Sequence, residues 1–383
     1  MGTIRGRYIY PLKTKTSLYV HVPFCSRKCV YCDFTSVVND KLISSYFEAI
    51  EKEVDLISSY TEPVIFTIYF GGGTPSHVNV DYISKLMKKI ESAFEINAQE
   101  ITLEMNPEDV TDEKCRQLKF FGVNRISLGL QSSSNEILRV IGRPYTLENF
   151  LKRYDTVRKH FDNVNIDLIY NLPFERLSDV ESDLRIIEKT KPDHVSFYEL
   201  ELHEETPLYS MVNAGVAKLP SEEVSEMMYD TIIDGLEDLG YKRYELSSWT
   251  LEKPSIHNIN YWQNGQYIGI GVSAGSHIGT ERSVNLSDIN EYLSKIRSNL
   301  LPREYHKNNT LEEEIAETIF MGLRLAIGIN EKDLRAKFGS ELTEIYLGKL
   351  DKFKEYFLEN KDGFLRFTKD GMKFSALVLS ELV

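Results

Sequence analysis

The sequence predicts an α/β fold: a partial (βα)6 barrel followed by a smaller, mostly helical C-terminal domain. Three observations predict it. Six β-rich apolar runs recur at 18–22, 64–70, 101–105, 124–128, 164–170 and 194–202. Between them lie stretches with apolar residues at helical spacing, such as 80–94, 112–120, 147–160 and 178–189. Polar or Gly-rich motifs then follow the runs, where loops at the C-terminal ends of barrel strands carry chemistry. Parallel strands with crossover helices bury both sheet faces, and six such units in series point to a barrel or partial barrel rather than an antiparallel sandwich.

After residue 205 the pattern changes. Thr206 and Pro207 introduce a long helix at 221–239, a short strand and a Gly-rich loop. From Glu312 a helix runs to Arg324, and the last seventy or so residues read as helices with a short strand at 364–367 and a final helix. The expected division is a core barrel over 1–205, an extension over 206–305, and a small winged-helix-like domain over 306–383. The last boundary rests on 303–310, a polar segment without apolar periodicity.

At 383 residues the chain is long enough for a sizeable core, and 42% hydrophobic with 27% charged residues is ordinary for a globular protein. A formal charge of −13 argues against general nucleic-acid binding, which needs clustered cations. No run reaches the roughly 18 apolar residues of a membrane-spanning helix, and the first residues lack the apolar core of a signal peptide, so the expected location is the cytoplasm.

Of four cysteines, Cys25, Cys29 and Cys32 fall within eight residues while Cys115 stands alone on a predicted helix. That is a poor disulfide framework and a good layout for three thiolates converging on a soft metal centre. Zinc is one alternative, but a structural zinc takes four ligands, and the fourth would have to be Cys115 or His21. Iron–sulfur clusters usually take four cysteines, so three on a loop after a strand imply an iron with an open position. S-adenosylmethionine (SAM) fits that position, because its amino and carboxylate groups can chelate the iron before an electron from a [4Fe-4S] cluster splits the sulfonium. Phe24, Tyr31 and Phe34 would limit solvent access to such a cluster, or merely pack the loop. Gly71, Gly72 and Gly73 let backbone approach a ligand closely, though such a turn is often only a strand exit, and no Gly-Lys-Ser/Thr follows to make it a phosphate loop.

In order along the chain, HVPFCSRKCVYCDF, GGGTPS, EMNPE, RISLGLQS, IGR and DLIYNLP resemble the oxygen-independent coproporphyrinogen III oxidase-like family of radical SAM proteins. The likeness spans nearly the whole chain and implies a radical SAM barrel. HNINYW at 257–262, followed by YIGIG, is similar to the HemW-type heme chaperones within that family. The true oxidases carry a further cysteine two positions after the third, where this chain has Phe34, and a longer extension before the first. The resemblance implies SAM contacts from Tyr19 and Tyr31, from Gly72, Gly73 and Thr74, and from Glu104, Gln131, Arg143 and Asp167. Glu104 would accept from the SAM ammonium, Arg143 would pair with its carboxylate, and Asp167 would bind a ribose hydroxyl. Read alone, these carboxylates would serve as caps or solvated charges, and Arg143 as a surface ion-pair member. Two departures are visible: NLPFE stands where the family often has Gly-Leu-Pro-Gly, and Gly275 stands where it has histidine, with His277 nearby.

For a heme chaperone the resemblance implies heme as cargo, an unidentified recipient protein and an electron donor. His257 is then the candidate heme ligand, with Tyr261 and Trp262 as flat surface for the porphyrin. The bland reading has HNINYW folding a loop around a satisfied histidine and a core tryptophan. The alternative activity is radical chemistry on a porphyrinogen, such as oxidative decarboxylation.

Overall fold

The computed structural model describes residues 15–61 and 63–382; the N-terminal stretch that lacks a signal-like run falls outside them for residues 1–14. Six strands pair in parallel in chain order: β1 (Lys15–Val22), β2 (Val64–Gly72), β3 (Glu95–Met105), β4 (Arg125–Gln131), β5 (Val164–Tyr170) and β6 (His194–Glu199). These are the six runs of the sequence, several of them longer or shorter by a few residues. Helices Ile43–Ser58, Val80–Ala93, Asp112–Phe120, Leu147–Arg158 and Leu177–Thr190 make the crossovers. Leu18, Val20, Ile68, Phe70, Ile126, Leu128, Ile166 and Leu168 are buried on one face of the sheet and Ser17, Thr67, Thr102, Ser127 and Asn165 on the other, as a covered parallel sheet requires.

The barrel stays open because both of its ends are extended. On one side β7 (Lys242–Glu245) and β8 (Ser248–Thr250) add to β6 antiparallel. On the other, β9 (Tyr267–Ile270) lies parallel to β1, and β10 (Gly275–Ile278), β11 (Glu281–Asn285) and β12 (Arg303–Asn308) follow antiparallel. The polar segment taken for a boundary is thus mostly strand β12. It is polar because it is the edge of the sheet, where charged side chains discourage further pairing.

Helix Leu311–Gly322 opens with a capping box between Thr310 and Glu313. The tail that follows has a core of its own, built on Ile315, Leu323, Leu350, Leu365, Phe367 and Val378. It carries three strands rather than one: β13 (Ile329–Asn330), β14 (Leu358–Lys361) and β15 (Phe364–Phe367) form a small antiparallel sheet among helices. No helix among the described residues is long and apolar enough to cross a membrane.

Candidate functional site

Strand ends and the loops after them enclose a cavity of about 500 Å³, lined by Cys25, Cys29 and Cys32 together with Tyr31, Gly72, Gly73, Thr74, Glu104, Gln131, Arg143 and Asp167. Eleven of the twelve residues expected at a cluster-and-SAM site therefore share one wall. The exception is Tyr19. Its hydroxyl bonds His21 Nδ1 at 3.1 Å and its ring lies 6.2 Å from that of Tyr69, which lines the cavity in its place.

The cysteine loop leaves β1 under restraint. Cys25 N donates to Val37 O and Val37 N to Pro23 O, while Cys32 N closes a turn on Cys29 O at 3.3 Å. Val30 and Tyr31 pack on a small apolar cluster that includes Ile137, Leu138 and Leu172, and Leu208 N holds Val30 O. The three thiols stay partly accessible, whereas Cys115 is fully buried in the barrel core. Burial pushes the Cys25 and Cys32 thiols up, and a hydrogen bond from Thr74 partly offsets this at Cys25. Loading metal here must therefore displace protons.

No three His, Cys, Asp or Glu side chains among the described residues converge on a single ion. A cubane differs from a single ion in taking one thiolate on each of three irons, so its cysteines surround it rather than meet at a point. Zinc loses both of its expected fourth ligands: Cys115 lies in the core, and His21 uses both ring nitrogens, Nε2 on Thr35 O at 2.8 Å and Nδ1 on Tyr19. Burial lowers the His21 pKa to about 4, so it remains a neutral strut.

Glycine at 72 and 73 answers to space. Gly72 has φ +107°, and a Cβ there would sit 2.5 Å from the His21 ring; one on Gly73 would sit 2.6 Å from the Pro23 carbonyl carbon. Gly72 N instead donates to Glu104 Oε2 at 3.3 Å, and Tyr69 Oη donates to Glu104 Oε1 at 2.8 Å. Burial pushes the Glu104 carboxyl up to about 7, with Tyr69 opposing the rise and Asp167 adding to it. Asp167 accepts from Ser127 Oγ at 2.7 Å and Asn165 Nδ2 at 2.8 Å, which fixes its carboxylate in the cavity.

Arg143 makes the most direct demand for a ligand. Its guanidinium is buried, Nη2 donates to Tyr31 Oη at 2.6 Å and Nη1 to Asn106 Oδ1 at 2.9 Å, and Nε has no partner. No carboxylate pairs with it among the described residues. A buried cation with an idle donor, facing a cavity, fits an anionic group such as an amino-acid carboxylate. The residue set therefore fits a cluster with SAM. Sequence reasoning missed Tyr69 and Asn106. Asn106 sits inside EMNPE, two residues past Glu104, and also donates to Thr74 Oγ1, which in turn lies 3.3 Å from Cys25 Sγ.

His257 is not brought to this cavity. HNINYW is helix Ile256–Trp262 rather than a loop, capped by Ser255. The His257 ring is buried beneath the sheet, with Nδ1 2.9 Å from Thr67 Oγ1 and Nε2 2.9 Å from Tyr261 Oη. Thr67 gives its own proton to Ser17 Oγ, so Nδ1 donates and the Nε2 lone pair accepts from Tyr261. As folded, that lone pair is not open to an iron, and burial lowers the His257 pKa to about 3.

Phe34 is 63% exposed at the cavity rim, while Phe24 is buried against Tyr46. The NLPFE departure also has a physical counterpart: Asn171 and Phe174, which stand where the family pattern has glycines, have φ +66° and +64°. His277 is buried on β10, with Nδ1 on Gly265 O at 3.2 Å and Nε2 3.4 Å from Glu314.

The profile of the Radical SAM superfamily matches residues 19–187, and that of the HemN C-terminal domain matches 309–374. The chain is 31% identical to "Heme chaperone HemW" of Bacillus subtilis, over 93% of this chain and 96% of that one. It is 35% identical to the protein of the same name from Lactococcus lactis, over 88% of each. Among solved structures, coproporphyrinogen III oxidase (HemN) of Escherichia coli, a radical SAM enzyme, superposes with a TM-score of 0.86 at 22% identity, covering 98% of this chain and 91% of that one; this likeness bears on the fold. With its cysteine loop, open barrel and full-length likeness to these relatives, the chain belongs to the HemW family of the radical SAM superfamily.

Proposed function

We propose that this protein binds heme and delivers it to a recipient protein in the cytoplasm, using a [4Fe-4S] cluster on Cys25, Cys29 and Cys32 with SAM beside it. The heme half rests on the relatives named heme chaperones, which align over nearly the whole chain. The observation that carries the SAM half is Arg143, a buried guanidinium without a carboxylate partner, in the same cavity as the three thiols. When bound, cluster and SAM supply one-electron cleavage of a sulfonium.

The chain's own residues divide the binding work. Arg143 would take the SAM carboxylate, held in place by Tyr31 and Asn106. Glu104, ionised above about pH 7, would take the ammonium. Asp167 would accept from a ribose hydroxyl, and the backbone at Gly72 and Gly73 would allow close approach of the methionyl part. Gln131, itself at φ +68°, would add an amide at the β4 exit.

The second reading, radical chemistry on a porphyrinogen, is favoured by the shared fold with the oxidase. Two assays on reconstituted, anaerobic protein separate them. Hemin-loaded protein is mixed with apomyoglobin and the recipient's absorbance followed; reduced protein is incubated with SAM and coproporphyrinogen III and the products analysed. Heme transfer without decarboxylation is the expected result. Decarboxylated product with no heme binding would replace the chaperone reading by the enzyme one.

A further inference from the structure

A second cavity, of about 730 Å³, adjoins the first and shares Tyr198, Glu199 and Glu201 with it. It lies between the β6–β8 edge of the sheet and the C-terminal helices. The chain has two tryptophans, Trp249 on β8 and Trp262 at the end of HNINYW, and both line this cavity. Helical spacing explains why. His257 and Tyr261, four apart, fill the space under the sheet, whereas Asn258 and Trp262, also four apart, form the neighbouring face and reach the cavity.

Two guanidinium groups line the same cavity, Arg243 and Arg324, and neither forms an ion pair among the described residues. Arg243 lies between the rings of Tyr229 and Trp249, 5.5 and 5.1 Å from their centroids, and bonds only neutral oxygens: Tyr229 Oη, Glu245 O and Leu246 O. Arg324 lies 4.5 Å over Trp262, and its Nε is buried without a partner. The indole nitrogens of Trp249 and Trp262 are likewise buried and unpartnered. Two guanidinium groups outside any ion pair among the described residues, two indoles and further aromatic rings lining one cavity fit a flat apolar ligand carrying carboxylates.

Carboxylates are present too. Glu226 is engaged by Lys373 at 3.5 Å, and burial pushes Glu245 toward its neutral form. Glu199 and Glu201 stand at the seam with the first cavity, so an anionic edge is favoured at the guanidinium groups of Arg243 and Arg324 rather than at those carboxylates.

We infer that this second cavity is the heme site, with the propionates at Arg324 and Arg243 and the macrocycle along Trp262 and Trp249, next to the cluster cavity. The inference rests on the reading that the chain carries heme. Among the described residues no histidine or cysteine lines the cavity, so the candidate iron ligand from its walls is the Met372 thioether or a tyrosine oxygen, not His257.

The test is titration of the full-length, cluster-reconstituted protein with hemin and with hemin dimethyl ester, followed by Soret absorbance. Wild type should bind hemin at least about tenfold more tightly than the ester, and Arg324→Met should narrow that difference by weakening hemin alone, Arg243 keeping the remainder. The hemin and ester comparison on wild type needs no variant and stands even if Arg324→Met misfolds. Equal affinity for hemin and ester, or hemin binding lost in His257→Gln but untouched in Arg324→Met, would place the heme elsewhere and overturn the inference while keeping heme binding. No saturable hemin binding by wild type would overturn the heme reading itself and this site with it.

Discussion

Replacing Arg143 by methionine removes the one buried cation that faces the cluster cavity without a counter-charge. The guanidinium has paid its desolvation in the folded chain and spends two N–H groups on Tyr31 Oη and Asn106 Oδ1, neither of them charged, while Nε is idle. An arriving carboxylate gains a charge-assisted hydrogen bond without displacing a resident anion. Such a bond is worth about 1.5–3 kcal/mol, which is about 10- to 150-fold in affinity. Because the substitution also frees Tyr31 and Asn106, a plain loss of SAM affinity would prove little. The measurement is a cycle: wild type and Arg143→Met, each titrated calorimetrically with SAM and with decarboxylated SAM after cluster reconstitution. Wild type should prefer SAM more strongly than the variant does, by the factor above; the preference left in the variant is that of the cluster iron for the carboxylate. If the variant weakens both ligands by the same factor, Arg143 only shapes the cavity and its assignment to the carboxylate is wrong.

Two further outcomes follow from the same geometry. Glu104 is pushed up to about 7, chiefly by burial, so it is protonated below that pH and ionised above it; SAM affinity should rise across about pH 6–8, and Glu104→Gln should flatten that rise in the same calorimetric titration. Phe174 is half exposed at φ +64°, a conformation that costs a non-glycine residue about 1–2 kcal/mol, so Phe174→Gly, net of its chain entropy, should stabilise by up to about 1 kcal/mol and raise a thermal melt by about 2 °C; an unchanged or lower melt would mean the phenyl ring contributes contacts that outweigh the strain.

The parallel strands were readable because each is a short apolar run buried on both faces, and the site residues because they follow those runs in recognisable motifs. What escaped reading follows physical lines. Helix Ile43–Ser58 is not among the crossovers that the sequence picked out, although Tyr46, Phe47, Ile50, Val54 and Ile57 recur on one face. Strand β12 reads as a linker because an edge strand with one free side needs no apolar alternation. The first and second strands of the tail are the ones missed: Ile329–Asn330 is only two residues long and Leu358–Lys361 is mostly polar, so nothing local marks them as sheet. Tyr19 and Tyr69 sit on neighbouring parallel strands as register partners, and only the pairing of β1 with β2 decides which of them reaches the cavity.

HNINYW shows the same limit more sharply, because the residues that stand out chemically are not the ones the fold exposes. A histidine beside two aromatics suggests a metal ligand, yet in helix Ile256–Trp262 its Nδ1 meets Thr67 and its Nε2 meets Tyr261, one turn along its own helix. Glu100, buried on β3, accepts from the backbone N–H groups of Ile256 and His257 at 2.9 and 3.2 Å, so a carboxylate holds the helix N-terminus onto the sheet. The helix is thereby rotationally fixed, with His257 and Tyr261 inward and Asn258 and Trp262 toward the C-terminal helices. A periodicity of 3.6 applied to the six residues separates these two faces, but which face is the buried one depends on Glu100, more than 150 residues away in sequence. The motif reads as one site in the sequence and acts as two in the fold: an anchor beneath the sheet and an aromatic wall for the cavity beside the cluster.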